Sequence, residues 1–125
     1  MKFARFVFAF AGILGLLILT PGLFAIDMVG ERFPPAITHP DFYYGFLTVT
    51  LAWQVVFLII ATNPARYRPL MLAAMLEKFP YVAMLLVLYS RGQIAPPQLA
   101  AVAIDGTLGL LFVAAYFKTR DGAAR

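Results

Sequence analysis

Four polar residues, Gln54, Glu77, Lys78 and Asp105, stand within long apolar runs of a chain of 125 residues in which only 13% are charged. An amide, two carboxyls and an amine can form buried ion pairs, hold a proton or bind a polar ligand, and in apolar surroundings each of them needs a partner. The expected arrangement is a Lys78–Asp105 ion pair with Gln54 hydrogen-bonding nearby, which neutralises two buried charges. Glu77 is then left over. It lies about 100° round a helix from Lys78, so the two cannot point squarely at one partner. Glu77 must therefore carry a proton, reach a polar cavity or face another subunit. Pro80 adds to the interest of this segment. Its ring denies a backbone N–H to the carbonyl of Leu76, which predicts an opened or kinked helix beside Glu77 and Lys78.

These groups need elements that hold them at depth. With 62% of residues hydrophobic and a mean hydropathy of +0.85, the chain lies far outside the range of soluble domains. A hydrocarbon layer about 30 Å thick takes about 20 apolar residues in helix. Four stretches qualify: Phe3–Ile26, Phe42–Thr62, Pro69–Tyr89 and Gln98–Phe117. The expectation is one all-α domain over the whole chain, an integral membrane four-helix bundle running up-down-up-down. Counted from the inner helix ends, Gln54 and Glu77 lie about 12 Å deep, Lys78 about 13 Å and Asp105 about 18 Å. One slab of the bilayer holds all four.

Lys2, Arg5, Arg66, Arg68, Lys118, Arg120 and Arg125 fall at one end of such a bundle, against Arg32 and Arg91 at the other. The positive-inside rule then places both termini in the cytoplasm. The formal charge of +4 is read as that orientation signal rather than a nucleic-acid footprint, because no basic cluster is interleaved with aromatics. Lys2 and Arg5 before an apolar run also resemble a signal peptide, but the run is long and contains Thr20-Pro21-Gly22, so a retained helix is expected. In the outer connection, Asp27–Asp41, Thr38 with Asp41 three residues on fits a capping box for the second span. His39 and Asp41 read as cap and interfacial anchor, or as an external substrate or ion mouth.

Several chemistries are set aside by composition. No cysteine is present, and His39 is the single histidine. Thiol chemistry and bis-histidine haem are excluded within one chain, and no metal site is expected. Nucleophile elbows, phosphate loops and metal-ligand spacings are missing, so no catalytic residue is assigned and the chain reads as leaning away from an enzyme. Ala11 with Gly15, and Ala101 with Asp105 and Gly109, put small residues on helix faces. Such faces serve close packing in the bundle or a homodimer. The aromatic content of 15% is read as mostly lipid-facing bulk and belt residues, with no cofactor box among them.

The runs NPARYRPLMLAAMLEK and IDGTLGLLFVAAYFKTR resemble a group of small bacterial four-helix inner-membrane proteins of the DoxX-like kind, over about the C-terminal two-thirds of the chain. The matching positions are Asn63, Pro64 and Arg66 after the second span, Lys78 in the third and Asp105 in the fourth. The resemblance implies a multi-pass protein of the bacterial inner membrane. It also implies a quinone or lipid near the bundle as part of a quinone-linked oxidoreductase complex, with no cofactor ligand of the chain's own. Length and span number are similar to those of small multidrug transporters, although the first span lacks their mid-helix carboxylate. The leading expectation is an accessory or scaffold subunit of a larger membrane complex. The alternative is a proton-coupled carrier of a small or lipophilic molecule that uses Glu77.

Overall fold

A computed structural model describes residues 1–120; Arg125, counted above among the inner cations, lies outside them. The described residues form helices α1 (Lys2–Leu19), α2 (Ile26–Arg32), α3 (Pro40–Thr62), α4 (Arg68–Ser90) and α5 (Leu99–Lys118), with 3-10 turns at Thr20–Phe24 and Pro96–Gln98. With their flanking turns, α1, α3, α4 and α5 give four apolar segments of 23 residues. At 1.5 Å per residue each is about 34 Å long, enough to cross a hydrocarbon layer. The chain is a multi-pass membrane protein built as an all-α four-helix bundle.

Two parts of the bundle end that holds Thr20–His39 differ from expectation. The first span is not one α-helix to Ile26: α1 stops at Leu19 and tightens into the 3-10 turn that carries Pro21, then breaks at Ala25 (φ −141°, ψ 36°). Pro21 has no N–H to continue the i→i−4 ladder, so the shorter-period turn takes over. The segment that follows is not a plain connection either, since Ile26–Arg32 forms α2. Asp27 in its first turn and Arg32 in its last suit the helix dipole. The capping box from Thr38 does not form. His39 is the N-cap of α3 without a side-chain cap, and Pro40 occupies the first helical position. Proline is pre-set for that position and lacks one of the N–H groups a cap would satisfy.

The four long helices form a ring in the order α1, α3, α4, α5. Packing is most extensive between α1 and α3 and between α4 and α5, and slightest between α3 and α4. Chain direction alternates. At one end Tyr43 Oη donates to the carbonyl of Gly22 at 2.6 Å. At the other, Arg68 Nε donates to the carbonyl of Tyr116 at 3.1 Å and Lys118 Nζ sits 4.3 Å from the ring centre of Phe3. The N-terminus, the Asn63–Tyr67 turn and the end of α5 therefore share one end of the bundle. In that turn Asn63 Oδ1 accepts from the N–H of Arg66 at 3.2 Å, as Asx turns do.

Most of the rings that are not at the helix seams face outward, in line with expectation, but the centre of the core is aromatic. Phe8, Phe57 and Phe112 are fully buried. Phe8 stacks on Phe112 at 4.4 Å between centroids, and Phe57 meets Phe112 edge-on at 5.0 Å. Phe6, Phe10, Phe24, Phe42, Phe46 and Phe117 do point outward, where lipid is the solvent. Glycine sets the closest helix approach. A Cβ at Gly12 would stand 2.8 Å from the carbonyl oxygen of Gln54 and from the Leu58 side chain. Gly12→Ala must push α1 away from backbone, and it is expected to cost about 1–3 kcal/mol of stability. Gly106→Ala meets nothing within 4 Å, so thermal unfolding in detergent should show a loss for the first substitution and none for the second.

Candidate functional site

Lys78 is the centre of the intramembrane site. It projects from the middle of α4 and is 4% exposed. One side of the ammonium faces α5, where Nζ donates to Asp105 Oδ1 at 3.0 Å. The expected Lys78–Asp105 pair thus forms, between adjacent antiparallel helices. Beneath it, the Phe57 ring of α3 lies 5.4 Å from Nζ, so the cation is flanked by an aromatic face as well as a carboxylate.

Glu77 is not left over. Its Oε2 is 3.2 Å from the same ammonium, although without hydrogen-bond geometry: that buried oxygen has no hydrogen-bond partner among the described residues. A long, flexible lysine stem accounts for the difference from expectation. The two Cβ directions on α4 diverge by about 100°, yet four methylenes let Nζ swing back across the helix face while still reaching α5. Lys78 is consequently shared, with Glu77 13% and Asp105 20% exposed at their side chains.

Gln54 does not join this set. It is buried, but it faces α1: Nε2 donates to the carbonyl of Thr50 on its own helix at 2.8 Å, and a Cβ at Gly15 would fall within its side-chain amide. Common depth placed Gln54 in the right slab; the helix face it occupies turns it to the α1–α3 seam. Pro80 lies one turn beyond Glu77 and is exposed, and α4 runs uninterrupted through it from Arg68 to Ser90. The proline leaves the Leu76 carbonyl without its usual donor but does not break the helix.

Tyr81 belongs beside the site and was not singled out in the sequence. It follows Glu77 by four residues and Lys78 by three, which places it over the same face of α4. Its ring lies 5.8 Å from that of Phe46 on α3, so it stands on the α3–α4 seam, where the bundle is least packed. The signal for it was the i+4 spacing from an acidic residue.

Neither known protein families, nor characterised proteins, nor solved structures gave a match to the chain.

His39 and Asp41, read from the sequence as candidates for an external mouth, do not form a common site with the Glu77–Lys78–Asp105 triad. His39 stacks on Phe42 at 5.1 Å, and Asp41 lies exposed in the first turn of α3, where a carboxylate favours the helix dipole. A separate cleft of about 330 Å³ is present at that end, lined by Ile26, Asp27, Gly30, Glu31, Ala36 and Ile37. Neither His39 nor Asp41 lines it.

Chemically, the triad is an ammonium between two carboxylates. With all three ionised its formal charge is −1, inside a layer where a lone charge costs roughly 2.5–3.5 kcal/mol even on lenient insertion scales. One added proton brings it to zero. An ammonium held between two carboxylates is suited to proton exchange and to ion pairing.

Proposed function

We propose that this protein is a proton-coupled carrier of a small or lipophilic molecule, with the Glu77–Lys78–Asp105 triad as its proton-accepting centre. The carrying observation is that Lys78 is shared by two carboxylates. A balanced pair would serve a structural staple equally well; the additional carboxylate supplies a place for a proton within the bilayer. Glu77 is the titrating group, since its contact with Lys78 is the one without a hydrogen bond. Sparse packing at the α3–α4 seam, where Tyr81 lies four residues from Glu77 on α4, supports this choice. A DoxX-like kinship, a bacterial inner-membrane location and cytoplasmic termini belong to the same proposal, supported by the Asn63-Pro64-x-Arg66 turn, Lys78, Asp105 and the clustering of cations at one end.

The accessory or scaffold reading has an observation of its own. At the level of the triad a Cβ on Gly109 of α5 would stand 2.9 Å from the ring of Phe79 and 3.3 Å from Cβ of Lys78. Close helix approach combined with an ion pair is a good lock between α4 and α5, and a locked bundle suits a subunit that presents its outer face to a larger complex or to a second copy.

The two readings part over Glu77→Gln. In lipid vesicles the full chain is expected to show an infrared absorption from a protonated carboxyl that responds to pH and disappears in Glu77→Gln, with the folded bundle retained. Proton movement coupled to uptake of a lipophile should be abolished in the same variant. If no protonated-carboxyl band responds to pH, the proton-accepting role is refuted and the staple stands. Copurification with larger membrane subunits, or with a quinone, would point to the accessory role.

A further inference from the structure

One end of the bundle carries Lys2 and Arg5 from α1, Arg66 and Arg68 at the start of α4, and Lys118 and Arg120 at the end of α5. Among the described residues the acidic groups lie elsewhere: Asp27, Glu31 and Asp41 are at the opposite end and Glu77 and Asp105 are mid-span, while Asp121, which follows Arg120 in the sequence, lies outside the described residues. No carboxylate among the described residues pairs with these cations, and three of the six, Arg66, Arg68 and Lys118, lie against aromatic rings instead. The Arg68 guanidinium lies 3.6 Å from the ring centre of Tyr116 while its Nε is bonded to the Tyr116 carbonyl. Lys118 lies 4.3 Å from the ring centre of Phe3, and Arg66 5.5 Å from that of Tyr67. Rings of this kind settle at headgroup depth. Tyr67 and Tyr116 thus favour the depth at which lipid phosphates lie.

We propose that this end of the bundle is a binding surface for anionic phospholipid headgroups of the adjoining leaflet, anchored by Arg68 and Arg66. Charge complementarity carries the assignment. Six cations without a described acid among them face a layer of phosphodiesters. Arginine is suited to such groups because its planar fork binds phosphate oxygens in pairs. The hydrogen bond of Arg68 to Tyr116 uses Nε, and among the described residues its terminal nitrogens make no hydrogen bond. Stacking on Tyr116 further reduces the freedom it would lose on binding. The surface lies at the end of the bundle and does not depend on the role of the triad.

The test uses the full chain in nanodiscs of phosphatidylcholine mixed with phosphatidylglycerol, followed by gentle delipidation and mass spectrometry of the retained lipid. Phosphatidylglycerol should be enriched over its bulk share. Combined Arg66→Gln and Arg68→Gln should reduce the affinity for phosphatidylglycerol by roughly thirtyfold, at about 1 kcal/mol for each surface cation near anionic lipid, and bring the retained lipid close to its bulk share. Raising the salt concentration should weaken the enrichment in the parent chain. Combined Arg66→Lys and Arg68→Lys, which keeps the charge, should restore most of the enrichment and shows that the glutamine variant fails through charge and not through folding. Combined Arg32→Gln and Arg91→Gln, at the opposite end, should leave it unchanged. Retained lipid that matches the bulk composition, or equal loss in the opposite-end control, would overturn the proposal and leave the six cations as an orientation signal alone.

Discussion

Lys78→Met is expected to be the most damaging single change in the protein, costing about 3–5 kcal/mol because it leaves two buried carboxylates without a counter-charge. Loss of either carboxylate should be far milder. Asp105→Asn leaves Lys78 with Glu77, and Glu77→Gln leaves it with Asp105, so in each variant the remaining charges still balance. A simple two-residue ion pair predicts otherwise, with equal harm from removing either member. The sharing of Lys78 also changes the expected rescue. Replacing Lys78 and Asp105 together still strands Glu77, so that double variant should remain impaired, whereas combining Glu77→Gln, Lys78→Met and Asp105→Asn should recover most of the stability. Thermal unfolding in detergent, with the fraction of monodisperse protein, ranks these variants. Equal damage from Asp105→Asn and Lys78→Met would show that Glu77 does not share the lysine.

The rank order rests on a contact that spacing alone argued against. From the sequence, adjacency on a helix set Glu77 and Lys78 about 100° apart, and the geometry of Cβ vectors does give that divergence. Side-chain length was the missing quantity. The lysine ammonium is several bonds from its Cβ, so it can return to a neighbour on its own helix while bonding to another. The same kind of gap affected Gln54. Counting residues along each span gives depth well, because rise per residue is constant, but it does not say which neighbour a face meets. That depends on the order of helices round the bundle, which short connections constrain only partly. The Lys78–Asp105 pair was legible because few groups in the slab carry opposite charge, whereas Gln54 had backbone of its own helix to satisfy it.

The spans themselves were readable for a simple physical reason. In lipid the backbone has to satisfy its own hydrogen bonds, so long apolar runs with few charges become helices. Ends were less readable. Pro21 converts the last turn of the first span to 3-10 form, and Ile26–Arg32 forms a helix because its dipole-compatible Asp27 and Arg32 bracket a short run. The buried rings were missed for a different reason. In a membrane protein hydrophobicity does not distinguish inside from outside, since lipid is as apolar as the core. Phe8 and Phe6 read alike in the sequence, yet the first is fully buried and the second faces outward.

That equivalence yields a second prediction. Removing a buried ring from a soluble core loses both transfer energy and packing; within a bilayer the transfer part largely vanishes, because the unpacked ring would still lie in hydrocarbon. What remains is the cavity. Phe112→Ala removes the ring that contacts both Phe8 and Phe57 at 4.4 and 5.0 Å. It leaves a void of about 100 Å³, and at roughly 24 cal/mol per Å³ the expected cost is about 2–3 kcal/mol. Phe117→Ala, on the same helix with its ring 63% exposed, leaves no internal void and should cost less than about 0.5 kcal/mol. Because Phe57 also flanks the Lys78 ammonium at 5.4 Å, relaxation of the three rings should propagate to the triad. Phe112→Ala and Asp105→Asn are therefore expected to be non-additive, with a coupling of about 0.5 kcal/mol or more in a double-variant cycle. Strict additivity would show that the aromatic core and the charged triad are independent layers of the bundle.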